Sequence, residues 1–252
     1  MQSLLIALAG VIMLGTFASS AGAAEVKVLT AGAFKRVLVT MLPEFERSGH
    51  KVSLQNETVG ALTKRIEAGE IFDFAVLTPA ALDALSAKNK IVAGSGTNLA
   101  RVGVGVVVKE GAAKPDIGSI AAFKQALLAA KSVAYIDPAA GGSSGIYLAS
   151  LLQRLGIAAE INAKAKLIPG GAVAEHIARG EAEIGIHQIS EILPVKGVTL
   201  VGPLPAEIQN YTIYAGGIGA QATNAEGGRA LLSLLSAPGA AVALHSNGME
   251  PP

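Results

Sequence analysis

Apolar positions along the chain switch repeatedly between strand spacing and helix spacing. Val26 to Thr30 is a short, β-branched run that predicts a strand. From Ala33 to about Arg47, the residues Phe34, Val37, Leu38, Met41, Leu42 and Phe45 recur at the spacing of one helix face. Val52 to Leu54 predicts a second strand, Thr58 opens a helix that ends near Gly69, and Phe72 to Leu77 predicts a third strand. Pro79 then sits in the first turn of another helix, where a missing N–H is tolerated. The order βαβαβα favours a parallel sheet faced by helices.

The texture changes at Arg101 to Val108, where Val102, Val104, Val106, Val107 and Val108 alternate with glycines and show no helical period. A second α/β set follows: a helix from Ile120 to Ala130, a strand from Val133 to Ile136 and a helix from Ser143 to Leu155. It continues with a strand ending at Ile168, a helix from Val173 to Arg179 and a strand from Glu183 to His187. Tyr211 to Ile218 is a second long extended segment, and helices from Ala225 to His245 close the chain. Two α/β sets joined by two extended crossings predict two lobes. Residues 25–104 with 210–252 make lobe I, and residues 105–209 make lobe II.

Residues 1–24 stand apart from this pattern. They hold no charged side chain, Leu4 to Leu14 is an apolar run, and Ala21-Gly22-Ala23 has the small-x-small form of a signal-peptidase site. The run is short for a membrane span, which needs roughly 20 apolar residues. A signal peptide cleaved near Ala23 or Ala24 is the expectation, and with it a periplasmic protein.

Composition narrows the chemistry. The 252 residues are 51% apolar and carry a formal charge of +1, which suits a packed core and argues against a polybasic nucleic-acid binder. The absence of cysteine removes disulfides, zinc knuckles and thiol nucleophiles together. His50, His176, His187 and His245 show no metal-ligand spacing, so neither a metal nor a cofactor is expected. Gly141-Gly142-Ser143-Ser144-Gly145 matches G-x-S-x-G, but Asp137 to Ala140 separate it from the strand, unlike a nucleophile elbow.

Ligands of open α/β sheets bind beyond strand C-termini, where helix N-termini present free N–H groups. Four junctions carry the small and hydroxylated residues that such contact requires. They are Thr30 to Ala33, Thr58 to Gly60, Gly141 to Gly145 and Pro169 to Gly171. Two fall in each predicted lobe, as a cleft that closes on a small anion demands.

The chain resembles the periplasmic molybdate-binding proteins of ABC importers and their type II solute-binding relatives. The resemblance rests on Val28 to Ala33, Gly60 to Gly69, Phe72 to Leu77, Ala134 to Pro138, Arg179 to Gly185 and Gly248 to Pro251. It implies a two-lobed α/β type II periplasmic binding protein fold, monomeric, with an anion held between the lobes and delivered to an ABC permease. Candidate ligand-binding residues are Thr30, Gly32, Ala33, Lys35, Thr58, Gly60, Thr78, Ser143, Ser144, Tyr147, Gly170, Gly171, His187 and Gln188.

The match departs from the molybdate pattern at the residues that would contact ligand. Gly32-Ala33, Asn56-Glu57-Thr58 and His187-Gln188 stand where those binders place serine or tyrosine hydroxyls. Lys35, His187 and Gln188 suit a carboxylate, so an organic polycarboxylate is weighed beside molybdate. The same fold includes exported aconitate isomerase, whose chemistry needs an acid/base group near neutral pH. His187 is the candidate for that role, with Glu191 or Tyr147 behind it. The sequence reading leans to a receptor.

Overall fold

A computed structural model describes residues 25–252, so the predicted signal peptide lies outside the described residues. The first set of elements is β1 (Glu25–Ala31), α1 (Lys35–Arg47), β2 (Lys51–Glu57), α2 (Val59–Glu67), β3 (Phe74–Leu77) and α3 (Pro79–Ala87). The long strand β4 (Thr97–Lys109) leads to α4 (Ile120–Ala129), β5 (Val133–Ile136), α5 (Ser143–Arg154), α6 (Ala158–Asn162) and β6 (Ala165–Ile168). Then come α7 (Val173–Ala178), β7 (Ile184–Gln188), α8 (Ile189–Ile192) and β8 (Val198–Pro203). The chain ends with β9 (Tyr211–Ile218), α9 (Ala225–Ser236) and α10 (Ala240–Ser246).

Two sheets share β4. Its first half closes the order β2-β1-β3-β9-β4, and its second half lies between β8 and β7 in the order β8-β4-β7-β5-β6. Within each sheet three strands are parallel, β2-β1-β3 and β7-β5-β6, and the rest run antiparallel. This is the mixed α/β, two-lobed architecture. Alternate side chains leave each strand on opposite faces. Val28, Phe74 and Val76 join the core under α1, α9 and α10, while Leu29, Ala75 and Leu77 join the core under α2 and α3. The second sheet repeats the arrangement, with Val106 and Tyr135 on one face and Val107 and Ala134 on the other.

The crossings differ from expectation in one respect. β9 does not cross between lobes; it pairs wholly with β3 and the first half of β4. The return crossing is the segment 204–210, with a 3-10 turn at Ala206–Ile208. Gln209 fixes it there: its Oε1 accepts from the Val104 N–H at 2.9 Å and its Nε2 donates to the Val104 carbonyl at 2.9 Å. That amide satisfies both backbone groups of the residue at which β4 exchanges one sheet for the other. The two crossings are thereby linked side by side.

Candidate functional site

A cleft of about 340 Å³ lies between the two sheets, where five strand-to-helix junctions converge. From the first lobe come Ala31, Gly32 and Ala33 after β1, and Asn56 to Val59 between β2 and α2. The second lobe supplies Gly142, Ser143 and Ser144 at the start of α5, Pro169 to Gly171 after β6, His187 and Gln188 at the end of β7, and Glu191 of α8. Tyr214 of β9 completes the wall. Among the described residues, no lysine or arginine lines it. Of its two acids, Glu57 is paired with Arg65 at 2.7 Å and Glu191 is buried; elsewhere a ligand meets backbone N–H groups and side-chain dipoles, an environment suited to anions.

The lobes touch around this cleft. Thr58, the N-cap of α2, accepts from the Ala61 N–H at 3.1 Å and donates its own hydroxyl hydrogen to the Ala140 carbonyl of the other lobe. Gly60 N–H donates to the Gly141 carbonyl at 3.1 Å, and the Tyr214 hydroxyl donates to Gln188 Oε1 at 2.9 Å.

The electrostatic centre is a pair of titratable groups. β7 runs directly into α8, so His187 and Glu191, four residues apart, approach to 3.3 Å between Nε2 and Oε2. His187 is 2% exposed, and burial pushes its imidazole down to about 3. Burial pushes the Glu191 carboxyl up to about 8, and no cation lies close enough to oppose that rise. Burial first, and then the Glu191 charge, raise the Tyr214 hydroxyl. The pair therefore rests in its uncharged form at neutral pH, imidazole beside carboxylic acid. His187 Nδ1 and Gln188 Nε2 are buried against the cleft with no hydrogen-bond partner among the described residues. Such polar atoms carry a desolvation cost that a ligand would relieve.

The predicted site residues divide. Gly32, Ala33, Thr58, Ser143, Ser144, Gly170, Gly171, His187 and Gln188 are together on the cleft wall. Thr30 is buried behind it, its hydroxyl donating to the Ala31 carbonyl. Gly60 stands behind the wall against Gly141. Thr78 precedes α3, outside the cleft wall, and makes no side-chain capping bond there. Tyr147 is turned away: its hydroxyl donates to the Ile208 carbonyl at 2.6 Å and Arg154 lies over its ring, so it is removed from acid/base work in the cleft. Lys35 is exposed at the start of α1 and lines an adjoining chamber instead. Glu191, ranked behind His187 from sequence, is its direct partner. Tyr214 was not anticipated; its place in an alternating strand carried no sign that the fold would set it opposite Gln188.

Comparison with known proteins agrees with this geometry. An aconitate isomerase from a Pseudomonas species is 34% identical over 231 residues, covering 89% of this chain and 87% of the relative. The periplasmic molybdate-binding protein of Azotobacter vinelandii superposes with a TM-score of 0.77 at 19% identity, over 90% of this chain and 99% of that one. The sulfate-binding protein of Mycobacterium tuberculosis gives 0.71 at 15% identity, over 90% and 86%. These two share the fold. The family of bacterial extracellular solute-binding proteins matches residues 26–250, and the chain belongs to it.

Proposed function

We propose that this protein is an isomerase that moves a proton, and with it a double bond, within a small unsaturated tricarboxylic acid such as aconitate. The observation that carries the reading is the His187–Glu191 pair, buried in a cleft otherwise built for anions. Anion binding by backbone N–H groups and dipoles does not require an acid beside an imidazole, whereas proton transfer does. The 34% identity to an aconitate isomerase supports the same conclusion.

The pair supplies both halves of the chemistry and ends the cycle in the protonation state in which it began. Transfer of the Glu191 proton to His187 Nε2, uphill in the empty cleft because burial disfavours both charged forms, turns acid and imidazole into carboxylate and imidazolium; a polyanionic ligand offsets part of that cost through the imidazolium. Glu191 then takes a proton from the substrate CH₂: a C–H bond breaks, an O–H bond forms, and the electron pair spreads over the former double bond and its carboxylates. Return of that proton to the other end of the allylic system completes the isomerisation, and His187 hands its own proton back to Glu191. No oxidant or reductant is needed. A carboxyl poised near 8 is matched to such a task near neutral pH.

The test is proton NMR of trans-aconitate incubated with the protein in D₂O. Interconversion with the cis form and deuterium uptake are expected, and Glu191→Gln should lower the rate by about 10²–10⁴-fold. Tight binding with neither conversion nor exchange leaves the second reading, an exported receptor handing an anion to an ABC permease. Family membership and the helix N-termini around the cleft favour that alternative. Export, with residues 1–24 removed, and a monomeric mature protein belong to both readings.

A further inference from the structure

Beside the cleft lies a second chamber of about 460 Å³, sharing Gly32, Asn56, Gly171 and Glu191 as its partition. Its lining differs in kind: three cations enter it, against the acids Glu175 and Glu191. Lys35 and Arg36 enter from the first turn of α1, and Lys196 enters from the α8–β8 connection of the other lobe. No side-chain hydrogen bond or ion pair engages any of the three among the described residues. Two adjacent cations at a helix N-terminus, with no acid in that turn, oppose the helix dipole, so helix stability does not explain them. An independent observation points the same way: Ser190, 1% exposed, lines this chamber, and its Oγ has no hydrogen-bond partner among the described residues.

We propose that this chamber is a second anion subsite, in which Lys35, Arg36, Lys196 and Ser190 receive an outlying carboxylate of the ligand. The substrate class rests on the reading given above. The partition places Glu191 between the two chambers, so a tricarboxylate can set its reacting carbons at the His187–Glu191 pair and extend one arm among the cations. A compact tetrahedral oxyanion has no arm to extend. The subsite therefore selects polycarboxylates over oxyanions and draws the lobes together, because its cations come from both.

The experiment is calorimetric titration of the full mature chain with tricarballylate, a saturated tricarboxylate that cannot isomerise, and with succinate, which lacks the third arm. Lys35→Ala and Lys196→Ala alter exposed side chains, and unchanged thermal midpoints would certify their folding. Each should raise the tricarballylate Kd tenfold or more, the double variant further still, with succinate changed less than twofold. Tricarballylate affinity that is unchanged, or lost equally with succinate, overturns the subsite, as does a parent protein that binds no tricarballylate. Lysine-dependent tricarballylate binding in a protein that gives no exchange on aconitate would uphold the subsite while refuting the isomerase.

Discussion

Gly32 and Glu191 meet across the cleft so closely that a Cβ on Gly32 would stand 2.6 Å from Glu191 Oε1. The glycine and the acid are therefore a matched set: the absent side chain after β1 makes room for the carboxyl that α8 delivers. The clash of a Gly32→Ala substitution falls on the end of a flexible side chain, which can rotate away. We expect the fold to survive with a thermal midpoint within a few degrees, and aconitate turnover to fall about 10²-fold or more as Glu191 leaves His187. Parent-like turnover would show that this approach has no part in positioning the pair.

The pair also predicts a pH profile of stability. His187 sits at about 3 in the fold against an ordinary 6.5, so the unfolded chain binds more protons between those values and stability rises with pH across them. Glu191 sits at about 8 against an ordinary 4.5, so the folded chain binds more protons there and stability falls as pH rises. The opposed slopes cancel between about pH 4.5 and 6.5, leaving a net decline from about 6.5 to 8. One proton over that interval amounts to roughly 2 kcal/mol, or about 4–8 °C in a domain of this size. Thermal scans across pH should show this decline in the parent and its loss in Glu191→Gln; Tyr214, which faces Glu191 in the cleft, ionises above the interval.

A structural prediction tests the frame beneath the site. Asp73 is fully buried, and its carboxylate accepts from Lys27 N–H at 2.7 Å, Asn224 N–H at 2.7 Å and the Thr223 hydroxyl at 3.2 Å. It ties β1, the approach to β3 and the start of α9 into one unit. Asp73→Ala leaves buried donors unsatisfied and should cost about 3 kcal/mol or more, read as a large drop in the urea midpoint. Asp73→Asn keeps one acceptor oxygen but turns an N–H₂ group toward a backbone N–H, and should fall between the two.

The sequence made legible those parts of the fold whose signal is local. β5 and β9 fall on their predicted residues, because dense β-branched and apolar runs between turn residues leave little choice. The missed elements lacked such signals. α6 and α8 have five and four residues, too few to display a helical period. β8 is half-buried along its length and ends in Gly202-Pro203, which reads as a turn. The same division holds at the site. Glycine and serine junctions announce themselves within a few residues, whereas the opposition of Gln188 and Tyr214, or of Lys35 and Lys196, exists only once the two sheets have packed.

The two lobes meet at Gly60 and Gly141, and this contact gives the last prediction. A Cβ on Gly60 would lie 2.7 Å from Gly141 Cα, a backbone atom that cannot yield as a side chain does. Gly60 lies inside α2, where glycine costs up to about 1 kcal/mol relative to alanine, so the helix itself would prefer the larger residue. The glycine is explained by the contact between lobes. Gly60→Ala should leave the unliganded fold as stable as the parent, since the lobes need only part at this corner. It should weaken tricarballylate tenfold or more, because the ligand must then be held by lobes that no longer meet. Small-angle scattering at saturating ligand would show a larger radius of gyration than the liganded parent, and equal affinity and equal compaction would mean that the contact between Gly60 and Gly141 does not govern closure.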